Sequence, residues 1–413
     1  MSDNEDRSAG RAPARPSVGA FGVNDDAFRA DPYPLLNVLR EHQPLAKTPM
    51  GLWALSRYQD VERLLRGVPA GMRKRDGTPF VIPSDPDAQF DPNSFMLLQD
   101  GEPHHRLRKL VAKAFTPRMI ERLRPEVQAV CDSCIERVLE QGRLDVAEDL
   151  ARIVPSTVIC MMLGVPLADR PRFTEWTANA THALVVQFAP AQAMARARPA
   201  LEKLVEYFTA MIEARRKRLG DDLVSELIRA EEGGDRLTSA ELLVQSVGLL
   251  AAGFETTIGL ISLGVRQLLL HPAELAKLRA DPSLIGTAVE ECLRFDPPIL
   301  ATLRLLHEDT EWHGQSLPAD TPVLALLAAA NRDPRAYADP ERFDVARKGA
   351  PHWGFGGGAH FCLGAHLARL ETQLAIGTLV RRLPKLELMD AKLRWSDSLF
   401  RVPASLPVHF GAE

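Results

Sequence analysis

No stretch of this 413-residue chain approaches twenty uninterrupted apolar residues, and its start shows neither the apolar core of a secretory signal nor a membrane anchor. A soluble, cytoplasmic protein with no membrane partner is therefore expected. Cysteine is scarce: five residues, at 131, 134, 160, 292 and 362, are too few and too irregular for a disulfide framework, and they point to a reducing compartment. An excess of one charge is also missing. With a net charge of -4 and acids and bases interspersed, neither nucleic acid nor an anionic membrane is expected as a partner. No internal repeat and no long linker appear, so one large domain is the simplest organisation. Residues 1–18 have the composition of a disordered tail, which leaves 19–413 as the domain.

What is present is mostly helical periodicity. Segments near 102–115, 119–141, 145–163, 198–218, 238–271, 282–294 and 364–382 place apolar residues at helical intervals. Strand signals are short: Gly51 to Leu55, Pro322 to Leu327, and the proline-punctuated end from about 385. The balance predicts a mainly α domain with minor β. Cys131 and Cys134 form a C-x-x-C, but no second cysteine pair accompanies them and they fall inside a helical pattern. They read as two cysteines near one helix face, not as a redox pair or half of a zinc site.

Cys362 is different. It lies in the run Phe355-Gly356-Gly357-Gly358-Ala359-His360-Phe361-Cys362-Leu363-Gly364, where glycines let backbone amides approach the sulfur and permit tight left-handed turns. The helical pattern that follows puts Cys362 at a helix N-terminus, a position that favours the ionised sulfur. These neighbours suit a metal-binding thiolate.

The helix expected from 238 to 271 is the second informative element. Thr238 and Glu241 form a capping box, Pro272 marks the end, and the length is about 50 Å, enough to cross a domain. Its middle reads Ala251-Ala252-Gly253-Phe254-Glu255-Thr256-Thr257, an acid and two hydroxyls in an otherwise apolar helix. Mid-helix glycine costs about 1 kcal/mol relative to alanine. Gly253 therefore serves either close helix packing or the approach of a ligand to the backbone.

The Phe355–Gly364 run resembles the haem-binding loop of the cytochrome P-450 family, F-G-x-G-x-H-x-C-x-G, at every specified position. The resemblance implies the cytochrome P-450 fold, a haem b (iron protoporphyrin IX) and Cys362 as its axial thiolate, with Phe355 and His360 beside it. Ala252 to Thr257 resembles the family's A-G-x-[D/E]-T-T, with Glu255 and Thr256 as the proton-managing acid and alcohol; Phe254 stands where the family often has His. His104 and Arg108 resemble the H-x-x-x-R pair that holds the haem propionates, although the usual proline-rich lead-in is altered to Gly101-Glu102-Pro103. Arg304 and His360 match further propionate ligands, and His352 lies near the haem edge on the same resemblance. Glu291 and Arg294 match the structural E-x-x-R, and Arg342 matches the arginine that completes that cluster.

By the same resemblance the chain is a haem-thiolate monooxygenase that inserts one oxygen atom from O2, by hydroxylation or epoxidation, into a bulky hydrophobic small molecule. No flavin-binding or iron-sulfur domain is visible, so electrons would come from a ferredoxin and its reductase, with NAD(P)H as the ultimate donor and the enzyme a monomer. Arg106, Lys109, Lys113, Arg347 and Lys348 are candidate docking residues. The substrate walls would come from 70–100, 170–195, the central helix, 299–302 and Leu399-Phe400, with Gly248, Ala251 and Ala252 giving a roomy cavity. A peroxide-using relative would replace the acid-alcohol pair, and a non-catalytic haem protein would not need it.

Overall fold

A computed structural model describes residues 26–80, 90–113, 115–181, 191–232, 235–390, 392–398 and 400–411; the expected tail, 1–18, lies outside them. The molecule is organised around one helix, Ser239–Leu270. Both halves of the capping box form: Thr238 Oγ1 accepts from the Glu241 amide at 3.2 Å, and the Glu241 carboxylate accepts from the Thr238 amide at 2.8 Å. The helix is long and apolar enough to cross a membrane, yet 83% of its most apolar window is buried inside the protein, which makes it a core element. Gly248 lies against the Phe95 ring, Gly259 against Pro298 and the Arg401 carbonyl, and Gly264 against Cys292 and Ile376. An added Cβ would meet each of these neighbours within 3.2 Å, so three glycines of this helix serve packing.

Helices Ile153–Leu163, Ala191–Lys217, Ile285–Phe295 and Ala365–Arg382 pack on it, and Arg124–Glu136 packs in turn on the first and last of these. The expected 119–141 helix is broken. Pro117–Arg122 ends and a new helix starts at Arg124 with Pro125 in its first turn, because proline has no amide to continue the earlier ladder. The 145–163 segment begins as a wide turn over Val146–Ala151, capped by the Asp145 carboxylate, before the α-helix at Ile153. Helices Tyr33–His42, Arg170–Ala180, Leu223–Arg229 and Pro272–Ala280 are additional to the expected set.

A five-stranded sheet runs in the order Leu45–Lys47, Trp53–Leu55, Pro322–Ala325, Thr302–Leu306, Ala70–Gly71, with only the Trp53–Leu55 and Pro322–Ala325 pair parallel. It places Arg304 opposite Val323. The C-terminal end supplies Leu386–Leu388 and Pro407–Phe410 to a three-stranded sheet with Arg143–Asp145. Helices and small sheets together give the mainly α fold that the periodicity indicates. Cys131 and Cys134 are buried on the Arg124–Glu136 helix, and burial pushes both thiols up. No cluster of three His, Cys, Asp or Glu able to hold a metal occurs among the described residues.

Glu291 and Arg294 are paired as the E-x-x-R spacing suggests, but they are buried. Two parallel bonds of 2.7 and 2.8 Å join them, with side chains only 1% and 3% exposed. Arg342 does not complete the cluster. Its guanidinium is 59% exposed and among the described residues reaches only Asp344, at 3.9 Å, while its carbonyl accepts from Arg294. The third member is Arg347, whose Nε donates to Glu291 at 3.1 Å and whose remaining nitrogens bind the carbonyls of Ala338, Asp339 and Arg342. Arg342 sits on the outward side of the turn that presents Arg347. Removing one member leaves a buried charge unpaired, a loss of about 3–5 kcal/mol. Glu291→Ala is therefore expected to lower stability by that amount in denaturant unfolding, and Arg342→Ala by less than about 0.5 kcal/mol.

Candidate functional site

The cysteine loop is shaped by its glycines. Gly356 and Gly358 both have φ +67°, and a Cβ on Gly358 would lie 2.0 Å from the Leu65 carbonyl oxygen. Only glycine fits there. The Gly356 amide donates to the Trp353 carbonyl at 2.8 Å and the Cys362 amide to the Phe355 carbonyl at 3.0 Å, so the loop folds back on itself and delivers Cys362 three residues before the helix Ala365–Arg382. Cys362 has exposed surface but lies deep among protein atoms. Burial pushes its thiol up, against the Gly364 amide, Arg108 and Arg369, which pull it down. The helix N-terminus thus favours the thiolate as expected, but desolvation outweighs it in the protein alone.

Arg369 is a neighbour that sequence reasoning missed. Its guanidinium stacks 4.5 Å above the Phe355 ring and makes bonds of 2.7 and 2.8 Å to Glu290, which also bonds His352 at 3.2 Å. Against its burial, Arg369 and His352 hold the Glu290 carboxyl at about 2. His352 is thus engaged by a carboxylate.

Four basic side chains converge on the other side of the loop. His104 and Arg108 come from the helix Gly101–Ala112, Arg304 from the sheet, and His360 from the loop itself. The His104 and His360 rings stack at 4.3 Å, and Arg108 donates to the Phe361 carbonyl at 2.6 Å. Burial, then His360 and Arg108, push His104 down to about 4; it is a buried neutral imidazole with no hydrogen-bond partner among the described residues. Burial lowers Arg304 to about 10. Its three bonds to described residues all leave from Nη1, to the Leu303 carbonyl, Thr302 Oγ1 and Met72 Sδ. Asp100, also missed from the sequence, is the carboxylate bonded within this group, to His360 at 3.1 Å. A buried histidine without a hydrogen-bond partner and a buried guanidinium with no carboxylate in contact, among the described residues, suit a ligand that brings acid groups of its own. The donor set fits a ligand that carries two carboxylates, as a haem does.

Glu255 and Thr256 do not touch this cluster. Thr256 is half-buried and donates to the Ala252 carbonyl at 3.1 Å. Ala252 and Gly253 are exposed in the middle of this largely buried helix, and a Cβ on Gly253 would meet nothing within 4 Å, so Gly253 is not a packing glycine. Gly248, expected to enlarge a cavity, is covered by Phe95 and instead packs, and Ala251 is buried. Glu255 is buried and accepts from Ser398 Oγ at 2.8 Å. It borders a cavity of about 220 Å³ with Arg152, Asn179, Arg196 and Asp397. Ser398 lies in a C-terminal segment with no periodic signal to mark it. Of the expected substrate walls, 81–89, 182–190 and Leu399 lie outside the described residues.

A helix-rich fold built on one long core helix, with a cysteine loop beside an acid-binding rim, defines a haem-thiolate class of architecture. Comparison with known proteins agrees: the Cytochrome P450 family model matches residues 55–393. The cytochrome P450 monooxygenase PikC of Streptomyces venezuelae is 40% identical over 96% of this chain and 95% of its own length. The vitamin D(3) 25-hydroxylase of Pseudonocardia autotrophica is 37% identical over 93% of this chain and 95% of its own. The crystal structure of myxobacterial cytochrome P450 CYP267B1 in complex with myristic acid has a TM-score of 0.84 and 40% identity, covering 94% of this chain and 98% of that one. This chain belongs to the cytochrome P450 family and is a P450 monooxygenase; the family binds haem through a cysteine thiolate and uses O2 and redox partners.

Burial raises the Glu255 carboxyl from 4.5 to about 7, against the Ser398 bond that lowers it. Between those values the folded chain keeps a proton that the unfolded chain has released. Stability contributed by the neutral group is thus complete below pH 4.5 and is lost as pH rises towards 7. Relative to Glu255→Gln, the native protein is expected to lose on the order of 3 kcal/mol across this window and to stay level above it. Unfolding of both proteins across the pH range checks this.

Proposed function

We propose that Cys362 is the axial ligand of a haem b and that the enzyme hydroxylates or epoxidises a bulky hydrophobic small molecule with electrons from separate redox partners. The observation that carries this reading is the joining of the Cys362 loop to a rim of basic groups with, among the described residues, a single bonded carboxylate, through the His104–His360 stack and the Arg108–Phe361 bond. Bound there, the haem would activate O2, placing one oxygen atom in the substrate and releasing the other as water.

The chain's own residues have separate tasks. His104, Arg108, Arg304 and His360 bind the propionates; Phe355 shields the sulfur; Glu255 holds a proton near neutral pH; and the Thr256 hydroxyl orients water beside the exposed Ala252–Gly253 turn. Ile299, Leu300 and Ala301 offer a substrate no charge. A hydrophobic substrate also agrees with relatives named for vitamin D(3) hydroxylation and bound to myristic acid. A cytoplasmic location and a monomer complete the reading.

An acidic ferredoxin, reduced by its reductase from NAD(P)H, is the proposed electron carrier. Two candidate docking residues drop out: Arg106 is paired with Asp235 and Glu241, and Arg347 turns inward to Glu291. Lys109, Lys113 and Lys348 are exposed.

The reduced protein under carbon monoxide is expected to show the red-shifted absorption band of thiolate ligation, and Cys362→Ala to lose it; an unshifted band in the native protein rejects the ligand. With NAD(P)H, a ferredoxin and its reductase, Thr256→Ala is expected to divert most electrons to hydrogen peroxide. Unchanged coupling of electron use to product counts against the proton role.

A further inference from the structure

We infer that Asp100 is a positioning residue that fastens the segment leading into the substrate wall to the acid-binding rim of the haem site, so that the two are held or released together. Asp100 stands one residue before the helix Gly101–Ala112, which carries His104 and Arg108. Its two oxygens face different ways. Oδ1 accepts from His360 Nε2 at 3.1 Å, on the rim. Oδ2 accepts from the amides of Met72 and Arg73 at 2.7 and 2.8 Å, at the start of the segment that runs from the sheet towards the central helix. The fit at this end is tight: a Cβ on Gly71 would lie 2.3 Å from Oδ2.

What Asp100 holds is tied further by Arg73. Its guanidinium donates to the carbonyls of Leu98, Gly77 and Asn93, each at 2.9 Å, and so joins residues 73–77 to 93–98. Further along, Gln245 of the central helix donates to the Ser94 carbonyl at 2.8 Å and accepts from the Met96 amide at 3.2 Å, setting Phe95 over Gly248. The segment is therefore pinned to the central helix at one end and to the rim, through Asp100, at the other. Burial works against the Asp100 charge, but the bonds from His360, Arg73 and Met72 keep the carboxyl below its usual value. Each of its oxygens is thus committed to a donor, and loss of the side chain releases two amides and the orientation of His360 in one step. Because binding free energies are linked, whatever steadies the rim also steadies the segment.

The inference rests on the haem reading, and its test separates the two. In the haem-loaded protein, amide hydrogen exchange at Met72 and Arg73 and the rate of haem transfer to haem-free myoglobin are measured for Asp100→Ala and Asp100→Asn. Asp100→Ala is expected to raise both rates at least tenfold, while the carbon monoxide band and the exchange of the remote helix Leu223–Arg229 stay unchanged. Asp100→Asn keeps one acceptor oxygen and is expected to fall between, and it carries the test if the alanine variant does not assemble. Fast exchange at Met72 and Arg73 with haem transfer within twofold of native overturns the coupling, as does continued protection of those amides. A native protein that binds no haem overturns the underlying reading instead.

Discussion

Arg294 and Glu291 are charges taken almost entirely out of water, and neither can stay there without the other. The pair reaches well beyond its own helix. Arg294 also donates to the carbonyls of Asn331, Pro340 and Arg342, and Arg347 closes on Glu291 from the same stretch. Asn331 in turn accepts from the Trp353 amide at 2.7 Å, and the Trp353 carbonyl accepts from Gly356 at the head of the cysteine loop. The place from which the loop starts is therefore set by satisfying two buried charges. Gly358, seated against the Leu65 carbonyl, fixes it from the other side.

Burial has the opposite effect on the groups proposed to meet the ligand. His104 is held neutral, while Arg304, lowered only to about 10, stays charged at neutral pH. The rim thus combines fixed positive charge from arginines with a neutral imidazole at His104, while His360 directs its Nε2 proton to Asp100. An acid-bearing ligand would be attracted by the arginines and oriented by the single N–H of His104, which need not be ionised for that. Asp100 tempers this charge while leaving His104 without a partner among the described residues.

The parts legible in the sequence are those with a short-range signature. The capping box, the length of the central helix, the turn glycines of the cysteine loop and the i, i+3 and i, i+4 pairs could all be read from spacing. The missed elements depend on contacts distant in sequence. Asp100 looks like an ordinary acid before a helix, and its meaning comes from Met72 and His360, 28 and 260 residues away. Ser398 acquires its role only by packing on Glu255, 143 residues earlier. Arg342 and Arg347 could not be told apart locally, since both follow the same proline turn and only the fold decides which points inward. Glycine was ambiguous in the same way: Gly248 and Gly253 lie on one helix, yet one is covered by a phenylalanine ring and the other by nothing within 4 Å.

The adjacency of Glu255 and Thr256 carries a consequence for the proposed chemistry. Neighbouring residues on an α-helix point about 100° apart, so an acid and an alcohol next to each other in sequence cannot share one surface. Glu255 accordingly turns to Ser398 and the cavity beside Arg152 and Asp397, while the Thr256 hydroxyl is tied back to the Ala252 carbonyl. With a carboxyl titrating near 7, Glu255 can take up a proton on the cavity side and release it at the same pH. Thr256 donates its own hydrogen to the helix, which leaves its oxygen as an acceptor for a water beside the open Gly253 turn. On this reading the acid governs when a proton is available and the alcohol governs where it goes, and a mobile water must link them because the two side chains do not touch.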